Sequence, residues 1–323
     1  MDFKVFTAGR DDAGRRLDRV LKKIFAESCI TSNIHALIRK KLIRLNGIKT
    51  DASVLLQEGD KIEAASFLFT KDSDCSKKKL SDLSSFPFKI IFKNADILFI
   101  EKPSGVNVQP SRPGEKAVST VIKDFFSSDE SLAFTPAPLH RLDKNTSGLL
   151  AVSMTMKGAK WFSENISSHE IQKTYLSILN GLIDREETWI DSIEDSDEEK
   201  KFKTSKVYIN KKEQSDSAKE CVTVIRPLKS GIFCKKTVTF CQIMILTGRK
   251  HQIRAQSAAR KHPLTGDSAY GGGKGKFFLH AWKLKFPEDN DLLLPCELCC
   301  PLPPDFDEFL KTNLKIDVSA DII

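Results

Sequence analysis

Apolar residues recur at three- and four-residue spacing in two short stretches near the start of the chain: Leu17, Val20, Leu21 and Ile24, then Ile34, Leu37 and Ile38. That period puts each set on one face of a helix, so two short amphipathic helices are predicted. Leu42–Leu45 reads as a strand ending in Asn46-Gly47, a dipeptide that favours a tight hairpin turn. Glu58-Gly59-Asp60 is a second turn, ahead of a strand over Lys61–Ala64. Together these elements predict a small α+β unit over residues 1–69. Residues 70–87, with many Ser, Lys and Asp and few large apolar groups, have linker composition.

Over 88–323 the pattern turns to strands. Lys89–Lys93 and Asp96–Pro103 read as a pair around Asn94-Ala95, followed by strands over Gly148–Ser153, Thr174–Leu179, Ala218–Ile225, Thr237–Leu246 and Phe277–Phe286. Helices are expected over Met154–Ser168 and Arg249–Arg260. Strands outnumber helices and no βαβ rhythm holds. The expected fold class is therefore α+β, with a mixed, mainly antiparallel sheet and flanking helices, rather than a doubly wound parallel sheet.

Composition narrows the class. The chain has 323 residues, 40% hydrophobic and 29% charged, and a formal charge of +8. Those are globular proportions, and the length suits two domains. No run approaches the roughly 20 apolar residues of a membrane helix, and the start lacks the apolar core of a secretory signal. A cytoplasmic location without membrane attachment is expected. Of eight cysteines only Cys296, Cys299 and Cys300 cluster, with no second pair to complete a tetrahedral zinc site. All eight read as reduced thiols, the sequons at Asn145 and Asn165 as chance matches, and no metal is expected.

Charge is unevenly spread. Residues 28–50 carry no acid but hold Arg39, Lys40, Lys41, Arg44 and Lys49. Asp184–Glu199 carries nine acids and one arginine, and reads as a solvated surface loop kept away from any phosphate-binding face.

Four stretches carry candidate chemistry. His140-Arg141-Leu142-Asp143-Lys144-Asn145-Thr146-Ser147-Gly148 runs into an apolar strand. A charged turn closed by glycine can hold an acid over a cleft, although on pattern alone its Asp could equally cap the backbone. Leu142 separates Arg141 from Asp143, unlike a kinase catalytic loop. Leu246–Arg254 sets Arg249 and Arg254 near a strand-to-helix junction, a setting suited to a carboxylate or phosphate and also to a solvated first turn. Tyr175 lies on a predicted strand, where a tyrosine often simply packs. Gly266–Lys274 lacks the Gly-Lys-Ser/Thr of a nucleoside-triphosphate loop, so ATP binding is not expected.

In combination these segments resemble the RluA family of RNA pseudouridine synthases. HRLDKNTSGLL at 140–150 is similar to that family's aspartate segment, QKTYLSILNG at 172–181 to its tyrosine segment and LTGRKHQIR at 246–254 to its arginine segment. EKPSGVNVQP at 101–110, GDSAYGGG at 266–273 and FLHAWKLKFP at 278–287 match further segments in family order. Residues 15–66 resemble the small RNA-binding domain shared with ribosomal protein S-four. Departures are Gln109 and Gln256, where the family often has histidine, and the acidic 184–199 segment, which has no matching counterpart.

The resemblance implies an isomerase that converts uridine to pseudouridine without a cofactor, most readily in large-subunit (23S) ribosomal RNA. Transfer RNA is the alternative substrate, and an RNA-binding ribosome-assembly factor with secondary catalysis the alternative class. It gives the catalytic carboxylate to Asp143, an ion-pair partner to Arg249, which would keep the acid ionised, and base stacking to Tyr175. Leu279, Arg141, His251 and Arg254 are the implied substrate-binding residues. Arg16, Arg19, Arg39, Lys40, Lys41 and Arg44 are the implied RNA contacts of the first unit. A monomer is expected. Addition of Asp143 to the sugar, addition to the base and removal of a sugar proton are all compatible with these residues.

Overall fold

Over Ser147–Ser153 every residue is buried, so the strand has no solvent face. In the computed structural model this strand lies inside the larger of two sheets. The structure describes residues 2–25, 33–69, 85–126, 131–195, 204–209 and 216–316. Most of the predicted linker, the end of the acidic segment, Cys29 and Cys75 lie outside the described residues.

The first unit is built from β1 (Phe3–Thr7), α1 (Leu17–Ile24), α2 (Ile34–Arg39), β2 (Ile43–Leu45) and β3 (Lys61–Ala65). Its three strands pair in the order β1-β3-β2. The two helices and the last two strands are those expected, whereas β1 is an addition at the sheet edge. Asn46 and Gly47 both have positive φ, +51° and +79°, as the hairpin turn after β2 requires. Leu17, Leu21, Phe25, Ile38 and Ile62 close its core.

The larger sheet begins with β4 (Ile90–Lys93) and β5 (Ile97–Lys102), joined by a turn in which Asn94 Oδ1 accepts from the Asp96 and Ile97 amides. Then follow α3 (Val118–Phe126), β6 (Ala137–Pro138), β7 (Ser147–Ser153), α4 (Met156–Ser167) and β8 (Gln172–Asn180). β9 (Glu187–Asp195) and β10 (Ser205–Tyr208) precede a long hairpin, β11 (Lys219–Phe233) with β12 (Lys236–Ile245). α5 (Gln252–Ala259), β13 (Leu279–Lys285), β14 (Glu297–Cys299) and α6 (Pro304–Phe309) follow, and a π-helical turn over Leu310–Leu314 continues from α6. The strand order is β10-β9-β11-β12-β8-β13-β7-β5-β4, antiparallel except for the β13–β7 pair.

Alternate residues of β7 feed two cores. Leu150 and Val152 pack with Ile122 and Tyr175, while Leu149 and Ala151 pack with Phe99 and Phe162. A strand covered on both faces needs an unbroken apolar run, hence Leu149-Leu150-Ala151-Val152.

Two expectations change. The acidic segment is not a solvated loop: Glu187–Asp195 is a strand paired with β11, and Trp189, Asp191 and Ile193 are buried. Trp189, Asp191 and Ile193 alternate along one buried face while Ile190 is exposed, and the buried Asp191 is met by Arg260 through two hydrogen bonds of 2.6 and 2.8 Å. The helix expected from Arg249 starts three residues later, at Gln252, so Arg249 lies in the loop before it.

The two units touch through Asp12. Its fully buried carboxylate accepts from the Gly9 amide of its own unit, and from the Ser131 hydroxyl and the Leu132 and Ala133 amides of the other.

Candidate active site

The turn that presents Asp143 is pinned from three directions. Thr146 N–H donates to the Asp143 carbonyl at 3.1 Å, closing the turn. Gly148, at φ +114°, lies so close to Ala281 that any Cβ would collide with that carbonyl, so only glycine allows β7 to run beside β13 here. Lys102 is fully buried and donates to the carbonyls of Pro103, Val106 and Lys144 at 2.9, 2.8 and 3.1 Å. This stitches the loop after β5 to the Asp143 turn. Burial lowers the Lys102 ammonium to about 8, and the Asp143 charge opposes that shift.

His280 secures the β7–β13 junction. Its Nε2 lies 3.1 Å from the Cys300 carbonyl, which can only accept, so Nε2 carries the proton and Nδ1 accepts from the Ser147 hydroxyl at 2.9 Å. Burial lowers its pKa to about 4, and does the same for His140, whose Nε2 accepts from the Ala151 amide. Both histidines are therefore neutral, and His140 also lines the cavity described below.

Arg254, from α5, reaches Asp143: Nη1 to Oδ2 is 3.2 Å. The other edge of the guanidinium is held by Asp267, Nε to Oδ2 at 2.7 Å and Nη2 to Oδ1 at 3.0 Å. Its planar group also lies over the rings of Tyr270 and Phe277, at 5.0 and 4.8 Å. Burial disfavours the Arg254 charge, but Asp267 and then Asp143 outweigh it and raise the pKa. Arg249, expected to be this partner, instead donates Nε to the Glu220 carbonyl at 3.0 Å. The correction follows from the helix start. Arg249, in the loop before α5, turns its guanidinium to the β11 backbone, whereas Arg254, inside the first turn, faces the acid.

Tyr175 on β8 and Leu279 on β13 come to the same place from neighbouring strands. With Leu142, Ile166, Ile245 and Ile253 they form the apolar part of a cavity of about 240 Å³ that Asp143 also lines. Tyr175 is nearly buried, and burial, then the Asp143 charge, push its hydroxyl upward, so it is a neutral phenol. Lys173, Arg249 and Lys250 also line this cavity, and burial followed by the Arg249 charge lowers the Lys173 ammonium. A second cavity, about 440 Å³, shares Arg141, Leu142, Asp143, His251 and Arg254 and adds Gln109 and Asn145. Asp143 thus forms part of the wall between two recesses. His251 Nε2 is 3.8 Å from Asp143 Oδ2.

Of the residues expected to serve the site, Asp143, Tyr175, Leu279, Arg141, His251, Arg254 and Arg249 all line the first cavity. Lys102, Asp267 and Tyr270 were missed, because no spacing in the sequence ties them to Asp143. Gln256 is fully buried and bonds Asp191, Thr223 and the Trp189 carbonyl, a packing role remote from the cavities. In the first unit Arg16, Arg19, Arg39, Lys40 and Lys41 are exposed. Arg16 is paired with Asp18 at 2.9 Å and Arg44 lies 4.6 Å over the Phe3 ring. Among the described residues, no group of three or more His, Cys, Asp or Glu could hold a metal, and no helix is long and apolar enough to cross a membrane.

The chain is similar to the ribosomal large subunit pseudouridine synthase D of Xylella fastidiosa, with 27% identity over 317 residues, covering 92% of this chain and 88% of the relative. It is also 27% identical over 216 residues to the tRNA pseudouridine synthase C of Vibrio cholerae, covering 61% and 84%. Among solved structures, human RNA pseudouridylate synthase domain containing 1 superposes with a TM-score of 0.56 at 24% identity, over 69% of this chain and 87% of that one, a likeness of fold. Residues 96–259, which bring Asp143, Tyr175 and Arg254 together, match the RNA pseudouridylate synthase family. With half of its length inside that match and its fold shared with that enzyme class, the chain belongs to the RNA pseudouridylate synthase family.

Proposed function

We propose that this protein isomerises uridine to pseudouridine in large-subunit ribosomal RNA, with Asp143 as the catalytic carboxylate and without a cofactor. The observation that carries the reading is the Asp143 carboxylate, held by Arg254 in the wall of a cavity that Tyr175 and Leu279 make apolar. The reaction breaks the N1–C1′ bond, forms a C5–C1′ bond, removes the proton from C5 and adds one at N1. Positive character develops at C1′ as the first bond breaks, and a fixed carboxylate beside it stabilises that charge. Arg254, tethered by Asp267, holds Asp143 in one orientation while engaging only Oδ2. The Tyr175 ring and Leu279 flank the freed uracil, which must turn without escaping. Lys173, Arg249 and Lys250 meet the phosphates at the rim. A uridine in folded RNA is first flipped out of its stack, at a few kcal/mol offset by these contacts.

Ribosomal RNA is favoured over transfer RNA because the relatives named for the large ribosomal subunit align over both units, while the tRNA synthase alignment covers 61% of the chain. The first unit, read as an S-four-like domain, supplies the exposed Arg19, Arg39, Lys40 and Lys41 to RNA backbone. A hydrolase would need a second acid to activate water, and Asp267 is buried and committed to Arg254 and the Ala269 amide.

Asp143→Asn is expected to bind RNA as the wild type does and to make no pseudouridine, measured as tritium released from 5-tritiated uridine. A comparable rate in that variant removes Asp143 from the mechanism. Mapping pseudouridine in ribosomal and transfer RNA from cells with and without the gene identifies the substrate. Loss at a large-subunit site supports the proposal, and loss confined to tRNA replaces it.

A further inference from the structure

His251 occupies an unusual position. It is the residue before α5, and its φ of +52° is left-handed, a conformation that costs a non-glycine residue about 1 kcal/mol or more. Two contacts from β10 hold this corner. Ser205 Oγ donates to the Lys250 carbonyl at 3.2 Å, and Ser205 N–H donates to the Tyr270 hydroxyl at 2.7 Å. That hydroxyl in turn lies 3.0 Å from His251 Nδ1. Since its oxygen already accepts from the Ser205 amide, its own proton can go to Nδ1, leaving the imidazole proton on Nε2. Asp143 favours the same arrangement, because Nε2 is the nitrogen facing its Oδ2, and a bare nitrogen lone pair there would oppose the anion. Burial, the largest influence on this histidine, lowers its pKa, and the Asp143 charge opposes that shift.

We propose that Tyr270 is a positioning residue for the isomerisation: its hydroxyl fixes His251 as the Nε2–H tautomer directed at Asp143. Asp143 Oδ2 then faces two donors, Arg254 Nη1 at 3.2 Å and His251 Nε2 at 3.8 Å, and Oδ1 is left for the ribose. At 3.8 Å the imidazole acts on Asp143 as an oriented dipole rather than through a formed hydrogen bond. The strand that follows the acidic segment thereby reaches the catalytic carboxylate through one hydroxyl and one imidazole. The proposal rests on the reading of Asp143 as the catalytic carboxylate.

The test is Tyr270→Phe, which keeps the ring packed against Arg254 and His251 and deletes only the hydroxyl. Expected is a kcat roughly tenfold lower with KM for the RNA changed less than about twofold. In a His251→Ala background the same substitution is expected to change kcat by less than about twofold, since its route to Asp143 is gone. Equal losses in both backgrounds mean a merely structural hydroxyl and overturn the proposal, as does wild-type kcat in Tyr270→Phe. If the variant does not fold, imidazole nitrogen chemical shifts of the wild-type protein decide: protonated Nε2 is expected, and protonated Nδ1 sinks the idea. An active Asp143→Asn overturns the functional reading itself, whereas an inactive one beside an unaffected Tyr270→Phe overturns only this inference.

Discussion

Arg254 and Arg249 are five positions apart and carry the same charge, yet their surroundings differ completely. Arg254 sits between two carboxylates in a nearly buried site, so replacing it strands the buried Asp267 as well as loosening Asp143. Arg254→Lys cannot reproduce the two-pronged contact with Asp267. It is expected to lower kcat on the order of 100-fold, since a carboxylate that has lost its fixed donor no longer meets the developing charge preorganised, an effect of about 3 kcal/mol. Arg249→Ala, which removes one bond to a carbonyl at the rim, is expected to raise KM about threefold or less with kcat nearly unchanged. Steady-state kinetics on one RNA substrate checks both. Comparable kcat losses in the two variants would return Arg249 to the position the sequence suggested for it.

At the scale of elements, the site depends on one parallel contact in an otherwise antiparallel sheet. β7 and β13 meet at Ser147–His280 and Gly148–Ala281, and that register sets where the Asp143 turn leaves the sheet. Gly148→Ala would need both a left-handed backbone and displacement of the Ala281 carbonyl. A loss of about 3 kcal/mol or more is expected in urea melts, with activity falling before the fold is lost. A variant as stable as wild type would mean that the two strands can separate without consequence. The longer strands β5, β7, β8, β12 and β13 were legible from β-branched and apolar runs, whereas the short β1, β6, β10 and β14 were not. Nor was β9, because nine acids in the sixteen positions 184–199 dominate the surrounding segment and hide the inward alternation of Trp189, Asp191 and Ile193.

For the whole molecule, two expectations concern how the units cooperate and how stability follows pH. Removing residues 1–70 deletes the exposed basic residues and the Asp12 contact with residues 131–133. It is expected to weaken binding to native ribosomal RNA and to flatten its salt dependence, as fewer phosphates are neutralised. Filter binding at several salt concentrations measures this, and an unchanged slope would remove the first unit from the interface. His140 and His280 are held neutral, with values lowered from 6.5 to about 4. Between those limits the unfolded chain binds protons that the folded chain refuses, so stability falls as pH drops from 6.5 towards 4. The loss is up to about 3 kcal/mol for each histidine. Urea melts at pH 7.5 and 5 should show it, and His280→Gln, whose amide can serve both Ser147 and Cys300, should remove about half. A slope identical to wild type in that variant would show that His280 is not the sensor.

The α+β class, the strand-rich second unit, and the segments that carry Asp143, Tyr175 and Leu279 can be read along the chain, because period, turn residues and local motifs are properties of neighbours. Folding in three dimensions sets which arginine meets Asp143, that Asp267 holds it, that Lys102 ties two loops beneath it, and that an acidic stretch is a strand. Those are relations between residues up to 111 positions apart, as between Asp143 and Arg254, set by the register of strands and the first turn of a helix. Contacts of that kind leave no periodic trace in the chain. They exist only once burial makes an unpartnered charge too costly and forces each one to find its opposite.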